Sequence, residues 1–279
     1  MAEIKTGNWL DIRGLKLHYH RCGNGPPALL VHGYAHTWAM WEQPVERYLK
    51  THYSCYSLDL PGHGQSDKPP LAWFTLDNFT ETLIDFCYAL NLKKILLIGY
   101  SMGGMISLNL AWQQPELVSR LITINAPIEG QFLRPFDAVL WLESLAHRPI
   151  AEKIFKLYQW SHWFTLPVEL RRYANPRMIF SPSCYRVQHE LAQTTVPALL
   201  GNFKAIRATD LRPHLGRLRL PTLAITSDHD RVVPPAHARQ ISRLAPQAQL
   251  AVISNCGHLP LDEQPALFEA VIREYLGIP

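Results

Sequence analysis

Lys94-Ile95-Leu96-Leu97-Ile98-Gly99-Tyr100-Ser101-Met102-Gly103-Gly104 is the stretch that decides how this chain is read. Residues 94–99 read as a strand, and the unbroken apolar run at 95–98 is as expected of one covered on both faces. Directly after it the pattern turns helical from Met102 to Gln114 and stops at Pro115. Gly99-Tyr100-Ser101-Met102-Gly103 therefore fits Gly-x-Ser-x-Gly at a strand-to-helix junction. So sharp a turn strains its own backbone and leaves no room for bulky neighbours at the flanking glycines. It throws the Ser101 hydroxyl outward. The helix that begins at Met102 aims its free N–H groups and positive dipole end at the same point. Ser101 is read as a nucleophile.

Outward from this turn, strand and helix patterns alternate. Residues 15–19 alternate with period two and, with the residues before Gly14, predict an N-terminal hairpin. Residues 28–31, 53–58, 121–124, 223–226 and 250–253 read as further strands, and 76–90 and 265–276 as helices. Apolar strands alternating with helices predict an α/β fold: a mostly parallel β-sheet flanked by helices. The rhythm breaks between residues 128 and 218, which are rich in Trp, Phe, Leu and Arg and carry no β-branched run. Helices are expected at 136–146 and 150–160. Roughly ninety residues are too many for a structureless loop. The expectation is a core of residues 1–127 and 219–279, interrupted by a helical cap subdomain at 128–218. A substrate-covering role suits an insertion at the strand ends of such a sheet.

Composition removes other classes. The chain has 279 residues, 27 Lys+Arg against 23 Asp+Glu, and a net charge of +4 without a run of like charges, which argues against a nucleic-acid partner. A hydrophobic content of 47% excludes intrinsic disorder. No stretch reaches the length of a membrane span, and the first residues, Met1 to Lys5, lack the apolar core of a signal peptide. Cys22, Cys55, Cys87, Cys184 and Cys256 are scattered, with no C-x-x-C spacing. They are expected to be buried small hydrophobes in a reducing compartment, so a cytoplasmic location follows. No cofactor or metal is expected: His32 and His36 are four apart, but in a strand-end turn where helical spacing does not apply.

A serine hydroxyl needs a base, and thirteen histidines are available. His258 stands out because it follows the last expected strand, in Asn255-Cys256-Gly257-His258, where residues converge on the carboxyl ends of a parallel sheet. A carboxylate should hold the imidazole, and Asp228 and Asp230 both follow the preceding strand. Two N–H donors are needed for an oxyanion. Met102 offers one, and Tyr34, in the turn after the strand at 28–31, offers the other.

Together these residues resemble the α/β-hydrolase superfamily, in its cap-bearing esterase, lactonase and C–C-hydrolase branch. The resemblance rests on His32-Gly33 with Trp41 downstream, on Asp59-Leu60-Pro61-Gly62-His63-Gly64-Gln65-Ser66-Asp67, on the Ser101 turn, on the acid loop and on Gly257-His258. It implies that Asp230, three residues after the position usually held by Gly and just before Val232-Val233-Pro234, is the acid. Asn125, after the earlier strand, is an amide and cannot replace it. Relatives that open epoxides or remove halides carry Asp at the turn, so Ser101 points to acyl transfer. The expected activity is a serine hydrolase (a carboxylesterase-type enzyme) acting on a small, apolar ester or lactone. C–C bond hydrolysis, acyl transfer or cyclisation with the same triad, and a ligand-binding receptor are the alternatives. Trp141, Trp160, Trp163 and Phe164 are expected to line the substrate pocket.

Overall fold

The computed structural model describes residues 7–136 and 171–279, together with Lys153. The expected hairpin forms: β1 (Asn8–Ile12) and β2 (Leu15–Cys22) pair antiparallel across Arg13-Gly14, both at positive φ. The other strands are β3 (Pro27–Val31), β4 (Ser54–Leu58), β5 (Ile95–Tyr100), β6 (Val118–Ile124), β7 (Thr222–Ser227) and β8 (Ala248–Ile253). They form one sheet in the order β1-β2-β4-β3-β5-β6-β7-β8. β2 meets β4 antiparallel, and every pairing from β4 to β8 is parallel.

The unbroken apolar runs mark the strands in the middle of this sheet. Successive side chains of a strand point to opposite faces. Leu29, Val31, Ile95 and Leu97 therefore join one buried cluster, while Ala28, Leu30, Leu96 and Ile98 join the other. On the first face pack α1 (Leu76–Ala89), α2 (Met102–Gln113) and α5 (Ala236–Leu244); on the second, Trp41 and α6 (Pro265–Leu276). α1 is capped by Thr75, whose hydroxyl accepts from the Asn78 amide at 3.1 Å. α2 is buried on all sides through its first ten residues, so it shows no polar face. α5 is not among the expected elements; it follows two prolines and, over nine residues, buries only His237, Ala238 and Ile241. β8 lies at the sheet edge, and Leu250 and Val252 are exposed there.

Of the residues between β6 and β7, the described ones include α3 (Pro182–Leu191) and α4 (Val196–Ala208). The ends of this segment are clasped together. Glu129 bridges Asp210, the Leu211 amide donates to the Ile128 carbonyl at 2.7 Å, and Gly130 N donates to Thr209 O at 3.0 Å. Ile128, Leu211, Leu215 and Leu218 belong to the buried cluster of the first face, so the margins of the segment are part of the core. The expected helices at 136–146 and 150–160 lie outside the described residues, apart from Phe136, which closes a short 3-10 turn, Gln131–Phe136, and Lys153.

Candidate active site

Ser101 sits at φ 52°, ψ −120°, between the last residue of β5 and the first of α2. A non-glycine residue in this region is strained and is held there by its surroundings. The Ser101 amide donates to Ile124 O at 2.8 Å, and its carbonyl accepts from Gly104 N and Met105 N. The turn also needs bare backbone on both sides. A methyl group on Gly103 would lie 2.2 Å from the Val31 carbonyl oxygen, and one on Gly99 would lie 2.5 Å from Gly103 O. That is why α2 can begin against the end of β3.

Three expected residues come together. His258 Nε2 lies 3.1 Å from Ser101 Oγ, and its Nδ1 lies 2.7 Å from Asp230 Oδ2. All three are nearly buried, at 7% exposure for Ser101 and Asp230 and 5% for His258. The other Asp230 oxygen accepts from the amides of Val232 at 2.8 Å and Val233 at 2.9 Å, which keeps the carboxylate aimed at the imidazole. Asp228 faces elsewhere. It accepts from Asn255 N and Cys256 N and so braces the loop that carries His258.

That loop is held from several sides. The His258 carbonyl accepts from Asn125 Nδ2 at 2.8 Å and from the Tyr100 hydroxyl at 3.1 Å. Its amide donates to Arg172 O at 2.5 Å, and Gly257 N donates to Glu263 Oε1 at 2.7 Å. Glu263 Oε2 also accepts from Ala174 N at 2.8 Å. Asn125, itself at positive φ, further donates to Ser227 Oγ and accepts from Ser227 N. One amide side chain thus joins the ends of β6 and β7 to the histidine loop. In the sequence Asn125 shows only as an amide that cannot be the acid. Its real partners are 102 and 133 residues away in the chain, and no local pattern announces them.

The expected oxyanion donors flank the serine. Met102 follows it directly, and Gly33 packs so closely that a methyl group there would lie 3.1 Å from Ser101 Cβ, which brings the Gly33-Tyr34 peptide beside the hydroxyl. The Tyr34 hydroxyl donates to Leu199 O of α4 at 3.2 Å. His32 takes no part in the chemistry by contact: Nδ1 donates to Gly33 O, and Nε2 accepts from Leu60 N. Cys256, two residues before His258, is a buried thiol pushed up to about 12 by desolvation, so it stays protonated near neutrality. Ser101 and His258 open onto a cavity of about 390 Å³ whose walls include Phe132, Leu133, Leu199, Phe203 and Ile206. Trp141, Trp160, Trp163 and Phe164 lie outside the described residues.

Residues 26–265 match the family model described as alpha/beta hydrolase fold. The chain belongs to that family. This alpha/beta hydrolase is 26% identical over 271 residues to a pimeloyl-[acyl-carrier protein] methyl ester esterase of Vibrio vulnificus, covering 94% of this chain and 98% of the relative. Among solved structures, a hydrolase from Pseudomonas aeruginosa matches 99% of this alpha/beta hydrolase and all of its own chain, with a TM-score of 0.85 and 26% identity. An enol-lactonase from Burkholderia xenovorans matches 97% of this chain and all of its own, with a TM-score of 0.82 and 21% identity, a likeness of fold. Among the described residues no helix is long and apolar enough to cross a membrane.

Proposed function

We propose that this protein is a serine hydrolase that cleaves a small, apolar carboxylic ester or lactone through an acyl-enzyme. The observation that carries this is the unbroken hydrogen-bonded chain from Asp230 through His258 to Ser101, with its hydroxyl end opening onto an apolar cavity. The imidazole accepts the Ser101 proton as Oγ attacks the substrate carbonyl. Asp230, fixed by two backbone amides, holds the Nδ1–H tautomer and stabilises the imidazolium. The Met102 and Tyr34 amides receive the oxyanion. His258 then protonates the leaving alcohol, and a water activated by the same nitrogen releases the acid. The esterase relative lends weight to the ester class. The segment at 128–218 is assigned as the cap over the cavity, since α4 supplies Leu199, Phe203 and Ile206 to its wall.

Turnover of p-nitrophenyl butyrate tests the assignment. Ser101→Ala is expected to lower kcat by about 10⁴- to 10⁶-fold, and a fluorophosphonate is expected to label the parent protein on Ser101 alone. Parent-level turnover by the alanine variant, or absence of the label, would overturn the reading; the second result would favour a binding protein.

A further inference from the structure

The turn that carries the Tyr34 amide is an awkward one. Ala35 sits at φ 59°, and the turn closes through His36 N donating to Gly33 O at 3.2 Å. A non-glycine residue at positive φ is costly, so the turn needs an anchor beyond its own hydrogen bond. That anchor comes from across the molecule. His36, 2% exposed, sets its ring edge-on to Tyr100 and places Nδ1 2.6 Å from Oε2 of Glu190, which is 1% exposed and belongs to α3. The other Glu190 oxygen lies 3.5 Å from Arg186 Nε, and Arg186 Nη2 donates to Asp262 Oδ2 at 2.7 Å. Asp262 lies in the short helical turn Pro260–Glu263 that directly follows the His258 loop. A line of polar contacts therefore starts at the Gly33–His36 turn with the buried His36–Glu190 hydrogen bond, passes through α3 across the longer Glu190–Arg186 approach, and ends beside the histidine.

Burying a carboxyl group is expensive unless it is paired. Here desolvation raises Glu190 to about 8 and draws His36 well below its ordinary value, so near neutrality the two share a hydrogen bond as uncharged partners. Glu190 does not line the cavity, so contact with substrate does not account for it.

We propose that Glu190 is a positioning residue for the reaction. Through His36 it fixes the Gly33–His36 turn, and with it the Tyr34 amide that receives the oxyanion. The proposal rests on the acyl-enzyme reading given above. It makes the segment between β6 and β7 more than a wall: α3 helps to assemble the oxyanion site.

Removing an oxyanion donor costs about 10²- to 10³-fold in kcat, so displacing one is expected to cost about 10- to 100-fold. Glu190→Leu is expected to lose that much kcat on p-nitrophenyl butyrate, with KM within about twofold of the parent. It should weaken inhibition by a butyl trifluoromethyl ketone by the same factor, because that adduct places an oxyanion in the same site. Glu190→Gln, whose amide donates or accepts at the same place, should restore both most of the way. Glu190→Asp keeps the carboxyl group but shortens the reach by one methylene, and is expected to lose kcat in the same direction if the leucine variant fails to fold. A role limited to stability would lower the melting temperature and leave kcat and inhibitor affinity of the folded protein alone, and that result would overturn the proposal. The two levels separate cleanly. Serine-independent turnover in the parent refutes the acyl-enzyme reading, whereas a serine-dependent parent with parent-like kcat in folded Glu190→Leu and Glu190→Asp refutes only the positioning role.

Discussion

Asp228 and Asp230 leave the same strand two residues apart, and their carboxylates turn to different loops. Asp230 meets the imidazole, while Asp228 braces Asn255 and Cys256. The consequence is a separable pair of variants. Asp230→Asn keeps the shape but favours the wrong imidazole tautomer, and kcat is expected to fall by about 10³- to 10⁴-fold with an unchanged melting temperature. Asp228→Ala removes two acceptors from backbone amides, so it should cost about 1–2 kcal/mol in urea unfolding and much less in rate. A rate loss in Asp228→Ala matching that of Asp230→Asn would reverse the assignment. At this scale the sequence shows residue types well and partners poorly. Ser101 and His258 are legible because each sits at a strand end in a marked pattern. Between the two aspartates the residues alone leave the choice open, and only the resemblance favours Asp230. Asn125, His36 and Glu190 are illegible, since each finds its partner through the fold and not through spacing.

At the scale of elements, the loops after β3 and β4 hold two histidines in a fixed neutral form. His32 donates through Nδ1 to Gly33 O and accepts at Nε2 from Leu60 N. His63 lies between Pro61 O at Nδ1 and Asn202 Nδ2 of α4 at Nε2. Burial first, then the neighbouring positive charge of His63 on His32 and of Lys68 on His63, lowers both to about 3. Between that value and the ordinary histidine range the unfolded chain binds these protons and the folded chain does not. Stability is therefore full above about pH 6.5 and is lost as the pH falls, by about 1.4 kcal/mol per pH unit for each histidine. Urea unfolding across pH 4 to 7 should show this slope, and His63→Gln should reduce it by about one proton. An unchanged slope in that variant would assign the acid sensitivity elsewhere. The strands themselves are legible because burial on both faces leaves an unbroken apolar run. The clasp at Glu129–Asp210 is not, because a single isolated bridge leaves no periodic trace; α5 is only nine residues long, with a low apolar content that keeps its narrow stripe from standing out.

Over the whole molecule, the proposed reaction joins one sheet to the segment proposed above as its cap. The cavity between them holds about 390 Å³ and is walled mainly by apolar side chains. Burial of each further methylene contributes about 0.8 kcal/mol until the space is full. A series of p-nitrophenyl esters should therefore show kcat/KM rising with acyl length and then dropping. Phe203→Ala should move that drop to longer chains, and a flat series in both proteins would contradict an acyl pocket at this wall. The net charge of +4 has no part in this account; the hydrophobic content does, since it supplies both faces of the sheet and the cavity wall. The clasp at the ends of the segment carries one more consequence. Because Ile128 and Leu211 are already joined at the sheet, the polypeptide between them can be exchanged without re-threading any strand. Topologically the site is a socket for grafts. Chemically it is selective: a replacement must still offer a backbone carbonyl to the His258 amide, as Arg172 does, and, on the proposal made above, a buried carboxyl to His36. Libraries that diversify this segment should therefore keep those two contacts constant and vary the rest.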